Sequence, residues 1–168
     1  AKPEQIKLHR ELVSQAYKLF GSHHYDHYDF LFSLSSQMSG NGLEHHRSSE
    51  NGVDPDYFTG WDGASIVGRD LLAHEFVHSW NGKYRRPAGI TSSNFNQPLS
   101  DSLLWVYEGQ TQYWGNVLTA RAGLRSPQGA RDALAMVAAT YADNRPGLSW
   151  RAVQDTTNAP SIAPRRPH

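Results

Sequence analysis

One run, His74-Glu75-Phe76-Val77-His78-Ser79-Trp80-Asn81, constrains this chain more than any other. Two histidines four apart on a helix differ by about 40° in direction and about 6 Å along the axis. Both imidazoles therefore leave from one face and can grip one metal ion. Glu75 sits about 100° further round, where a carboxylate can reach a water beside that ion without itself being a ligand. With nine His and six Glu in 168 residues, roughly 0.02 accidental matches to H-E-x-x-H are expected, so chance is a poor explanation. The competing reading is a buried helix whose histidines are hydrogen-bonded to neighbours, and a third ligand decides between the two.

Composition narrows what such a metal could be held by. The chain contains no cysteine, which removes disulfides, thiolate ligands and Cys nucleophiles together and leaves His and carboxylate. Sixteen basic residues balance sixteen acidic ones, so no strong field draws the chain to nucleic acid or an anionic membrane, and a small or neutral substrate fits better. No apolar run approaches the ~20 residues that span a bilayer, and the start AKPEQIK lacks the apolar core of a signal peptide. The length suits one domain over residues 1–168, without repeats. The initial Ala1 and the loop-like end SIAPRRPH are what an excised or processed piece of a longer chain would show.

Residues 3–21 read as an amphipathic helix, with Ile6, Val13, Ala16 and Phe20 at helical spacing and Gly21 as its stop. His23, His24 and His27 follow one another too closely to share a helix face, so a polar loop is expected there instead of a second metal site. Tyr28–Ser35 alternates as a strand, Gly40-Asn41-Gly42 turns, and Leu43–His46 resumes an extended edge. Asn51–Asp62 reads as a loop whose Tyr57, Phe58 and Trp61 either line a pocket or pack on the core. The histidine helix is expected over Ser65–Asn81 with Gly82 as its stop, then a long loop from Lys83 to Ser100. A second helix starts near Ser100 or Asp101, capped by its oxygen, and runs to Gly123. A third opens with Ser126 as cap and Pro127 at its first position and ends around Asn144. Trp150 is expected to tuck into the body.

A catalytic zinc needs three protein ligands and one open position. Glu108, in Leu103-Leu104-Trp105-Val106-Tyr107-Glu108-Gly109-Gln110-Thr111, is the best candidate. Its apolar neighbours predict a buried, partnered carboxylate, and Gly109 is expected to leave room for two helices to approach. Asp101 is the alternative ligand, although its place suits capping. Gln112, one turn after Glu108, is placed to accept a hydrogen bond from a ligand histidine.

Three blocks, GLEH at 42–45, HEFVHSWN at 74–81 and LWVYEGQTQYW at 104–114, together resemble the glycyl aminopeptidase family. That resemblance spans about residues 42–114 and implies an α+β zinc peptidase with a thermolysin-like catalytic domain. A small mixed or antiparallel sheet, with Tyr28–Ser35 and Leu43–His46 near its edge, would pack on a helical layer holding the metal. It further implies one Zn2+ ligated by His74, His78 and Glu108, and Glu75 as the base that deprotonates the attacking water. Glu44 would hold the free amino group of a peptide, since a buried carboxylate without a partner is costly. The stretch Gly42–Glu44 would pair with the substrate backbone, glycine allowing close approach. Small amino-terminal residues, Gly or Ala, are the implied preference.

Two features depart from the family pattern. The 29 residues between His78 and Glu108 exceed the usual gap, so Lys83–Ser100 reads as an insertion. The family's oxyanion-steadying tyrosine lies in a tyrosine-rich segment that this chain lacks, which leaves Tyr107, Tyr113 and Tyr141 as substitutes or places the residue beyond position 168. An endopeptidase, which would not need Glu44, and a zinc- or peptide-binding fragment without full activity remain the alternatives. No G-x-S-x-G elbow supports a serine hydrolase.

Overall fold

Pro3 and Gly21 bracket the first helix. The computed structural model describes residues 1–61, 68–144, 149–152 and 154–155, and in it α1 runs Pro3–Phe20. Proline is preset for the first turn. Gly21 takes the left-handed conformation (φ 71°) and donates its N–H to Tyr17 O at 2.9 Å, closing the helix. The buried stripe is Gln5, Leu12 and Ala16, and Ile6 is 39% exposed, so the inward face is rotated from the expected one. Gln5 tolerates burial because its amide is satisfied: Nε2 donates to Phe58 O (2.8 Å) and Oε1 accepts from Lys2 N (2.6 Å).

The sheet has three strands in the order β1-β3-β2: β1 Asp29–Leu34, β2 Gly42–Glu44 and β3 Ser48–Val53. Strand β1 is parallel to β3, from Asp29 opposite Ser48 to Leu34 opposite Val53, whereas β2 is antiparallel to it, with Gly42 opposite Asn51. The sheet is mixed, and the two strands expected near the edge are its edges. Its centre corrects the sequence reading, which begins a loop at Asn51. Ser-Ser-Glu-Asn-Gly-Val has little of the composition of a central strand. It holds that place because Ser49 and Asn51 are buried and Asn51 Nδ2 bonds Leu31 O, Ser49 O and Ser49 Oγ at 3.0–3.2 Å. Gly52 is needed too, since a Cβ there would lie 1.8 Å from Met38 O. The aromatic loop that follows packs inward: Tyr57 is buried, its ring lies 5.1 Å from Phe32, and His9 sits among Phe32, Tyr57, Phe58 and Trp61.

Helix α2, Leu71–Val77, is the centre of the molecule, touching β2 and β3 on one side and α3 on the other. Five of its seven residues are buried, and Leu72, Ala73, Phe76 and Val77 form the core with Leu12, Ala16, Tyr25, Leu118, Ala122 and Leu124. It is shorter than the expected Ser65–Asn81. Residues 68–70 are turn, and positions 65–67 lie outside the described residues. Beyond it Gly82 breaks the direction at φ 123°, and Lys83–Ser100 is irregular, as expected.

The second expected helix is divided. Asp101 adopts a left-handed backbone (φ 51°), which Asp tolerates better than most residues, and its carbonyl accepts from Leu104 N at 2.9 Å. A π-helical segment, Trp105–Gln110, leads into α3, Thr111–Arg121. Helix α4 spans Pro127–Asn144, with Ser126 Oγ accepting from Gly129 N (3.0 Å) as its sequence signature predicts. Trp150 is 80% exposed, contrary to expectation. Among the described residues no helix is long and apolar enough to cross a membrane.

Candidate metal centre

Three donor atoms converge where α2 faces the π-helical segment. His74 Nε2 and His78 Nε2 are 3.1 Å apart, and Glu108 Oε2 lies 3.2 Å from the first and 3.5 Å from the second. The spacing follows from the four-residue step on α2, helical through His78, and from the π-helical segment, which presents Glu108. Such segments recur where a side chain must be aimed at a site.

The donors fit a cation by both distance and chemistry. Ligands about 2.0–2.1 Å from a tetrahedral ion stand about 3.4 Å from one another, and the three edges bracket that value. His78 Nδ1 bonds Asn81 O at 3.0 Å. A carbonyl only accepts, so in the neutral ring that nitrogen carries the proton and Nε2 presents a lone pair. Two ring nitrogens and a carboxylate oxygen pointing at one spot repel each other unless a positive charge lies between them. Among the described residues, Asp101 belongs to no such group, whereas His74, His78 and Glu108 do.

The local electrostatics agree. Burial pushes the Glu108 carboxyl up, but hydrogen bonds from His74 and His78 outweigh it and hold the group at about 2. Burial lowers His74, yet Glu108 and Glu75 leave it above the usual imidazole value. Each partner favours the charged form of the other, the pattern of an ion pair without metal; a bound cation would take the place of the imidazole proton, attracted by the same Glu108 charge. Glu108 is more open than expected: its side chain is 49% exposed, against 16% for His74 and 1% for His78. The open side of the centre is therefore the Glu108 side.

Glu75, only 5% exposed, shares a second cluster with Glu44 and His78, one donor atom of each lying within 4.8 Å of the others. Burial lifts its carboxyl to about 7, the histidines pull it down, and Glu44 and Glu108 add to the lift. A carboxyl in that range can take up and return a proton near neutrality. Gly42 stands against it: a Cβ at that position would lie 1.9 Å from Glu75 Oε1. The glycine thus makes room for this carboxylate, a role that sequence reasoning missed in reserving the space for a ligand. Strand β2 keeps one edge without a partner strand among the described residues.

Glu44 is not the unpaired carboxylate that was expected. The Tyr107 hydroxyl donates to its Oε1, and Lys83 Nζ lies 3.3 Å from the same oxygen. Burial pushes Glu44 up, but Tyr107, a backbone N–H, His78 and Lys83 outweigh it and keep the group below the usual carboxylate range. Lys83, five residues after His78, is the site residue the sequence reading passed over, and Tyr107, considered there only as an oxyanion substitute, serves Glu44 instead. Tyr107, buried beneath the His78 ring at 4.7 Å between centroids, is committed to Glu44, and Tyr113 and Tyr141 are exposed on the surface.

One support differs from expectation. Gly109 has no neighbour that a Cβ would meet within 4 Å; the close approach belongs to Gly115, whose Cβ would stand 3.1 Å from His74 N and Cα. Gln112 stands by His74 as expected, a hydrogen bond to it helping to raise that histidine, while its amide nitrogen donates to Asp70 Oδ2 (2.5 Å) and Asp70 Oδ1 receives Arg125 (3.2 Å). Asn81 ties the end of α2 to the other wall through Val106 O (2.8 Å) and Thr111 Oγ1 (3.0 Å). The histidines at 23–27 form a polar loop, with His24 stacked on Tyr84.

In comparison with known protein families, residues 68–168 match the M61 glycyl aminopeptidases. This covers α2, the π-helical segment, α3 and α4, and starts after Gly42 and Glu44. No match was found among curated proteins.

Proposed function

The chain belongs to the M61 glycyl aminopeptidase family, a family of peptidases, and from that premise we propose that it is a zinc-dependent aminopeptidase with a thermolysin-like catalytic domain. The observation that carries the reading is the triangle of His74, His78 and Glu108 donors, with edges of 3.1, 3.2 and 3.5 Å, beside a buried Glu75. Those three residues would hold one Zn2+, which when bound supplies Lewis acidity toward a peptide carbonyl and toward water. Glu75 takes the proton of the attacking water and delivers it to the departing amine, a task suited to a carboxyl near 7. The free edge of β2 pairs with the substrate backbone, and Glu44 at its end receives the α-ammonium. The preference for Gly or Ala at the amino terminus is part of the same proposal and follows from the family alone.

A second reading, zinc endopeptidase, is favoured by one observation: Glu44 already has Lys83 and Tyr107 on it, and an endopeptidase needs no amine anchor. Cleavage of a free peptide and its N-acetylated form by the zinc-loaded protein separates the two. Faster cleavage of the free peptide is expected, and equal rates would remove the aminopeptidase assignment while leaving the metal site intact. Anomalous scattering at the zinc edge, with density at the three donors, tests the site itself.

A further inference from the structure

Lys83 is a half-buried cation that the reaction outlined above does not use. Its side chain is 15% exposed, that of Glu44 16%, and Nζ sits 3.3 Å from Glu44 Oε1. The turn that delivers it is tightly determined. Lys83 N donates to His78 O at 3.0 Å, and Gly82 takes φ 123° where a Cβ would come within 2.6 Å of the Tyr107 ring. Tyr107 thus lies against the turn, donates to the same carboxylate oxygen, and with Lys83 compensates the burial of Glu44 before any ligand arrives. The placement is that of an ammonium on the carboxylate to which a substrate's ammonium is assigned.

We propose that Lys83 is a specificity-determining residue that competes for the amine subsite: its ammonium occupies Glu44 in the free protein, and a substrate binds by displacing it or sharing the carboxylate with it. This rests on the aminopeptidase reading. A carboxylate whose desolvation is already compensated gains less from a second cation, and two ammonium groups on one carboxylate repel each other. Lys83 therefore weakens binding of free amino termini and sets the KM for them, whereas an acylated terminus is indifferent to it. A merely structural lysine would have the opposite sign, since its loss would loosen Glu44 and weaken the amine contact.

The test compares two chelators on the zinc-loaded protein by titration calorimetry: glycine hydroxamate, which carries a free amine, and acetohydroxamate, which does not. The ratio of their Kd values isolates the amine contribution. In Lys83→Met and Lys83→Gln, each checked for native circular dichroism, this ratio is expected to rise about three- to tenfold in favour of the amine, the scale of a partly buried charge contact. KM for a free peptide should fall in parallel while KM for its acetylated form stays. A wild-type ratio above one that fails to grow in either variant would overturn the competition alone. A ratio of one in wild type and both variants would remove the amine subsite, and with it the reading on which the inference rests.

Discussion

Glu75 shows how much one buried group can be asked to do. It lies one residue from a ligand, abuts Gly42, shares a cluster with Glu44, and is held uncharged or charged by small differences near neutrality. Glu75→Gln keeps the shape and removes the base, so kcat should fall about 10²–10⁴-fold while zinc stoichiometry, measured by elemental analysis, stays at one. His9 carries a prediction of another kind. Its Nδ1 bonds Gln5 O at 2.7 Å, its Nε2 meets the Tyr57 hydroxyl at 3.0 Å, and burial, with Arg69 adding to it, lowers its pKa against the opposing pull of Gln5 O. The unfolded chain then binds the extra proton first, so stability rises with pH up to about 6.5 and is lost as pH falls below it. Denaturant midpoints from pH 5 to 7.5 should be flatter in His9→Phe than in wild type; identical slopes would show that His9 is not the group responsible.

At the scale of elements, the centre depends on how closely α2 and α3 cross. Gly115 sets that distance, because its missing Cβ would press on the His74 backbone, which cannot yield as a flexible side chain does. Gly115→Ala should cost about 1–3 kcal/mol despite alanine's better helix propensity and weaken zinc binding. Gly109→Ala meets nothing within 4 Å and should be neutral or stabilising by up to about 1 kcal/mol. Urea titrations of the two variants give opposite signs if the crossing is at Gly115. The sequence pattern points to the wrong glycine because adjacency to Glu108 is visible in the chain, whereas the crossing point depends on the helix rotation that the π-helical segment introduces.

For the whole molecule, the metal is expected to clamp its two halves, since α2 carries two donors and the π-helical segment the third. Zinc at a hundredfold excess over its Kd should stabilise the fold by about 2.7 kcal/mol, read as a rise in the thermal midpoint that a chelator reverses. Glu108→Gln should lose most of that response. An unchanged midpoint on zinc addition to the wild type would mean that the donors do not close on an ion.

The ends of α1 and α4, the edge strands and the paired histidines were legible in the sequence because each is a local statement. Pro3, Gly21, Ser126 and Pro127 mark helix ends, and a four-residue step puts two histidines on one face whatever surrounds them. Tertiary structure alone decided β3 as the central strand, since a polar hexamer is stabilised there by Asn51 bonding across to β1 and not by its own propensity. It also decided the partners of Glu44: Lys83 and Tyr107 are separated from it by 39 and 63 positions, and no spacing rule connects a carboxylate to a cation brought beside it by a turn and a π-helical segment. Local chemistry is written in the order of residues, whereas who compensates a buried charge is settled only when the chain has closed around it.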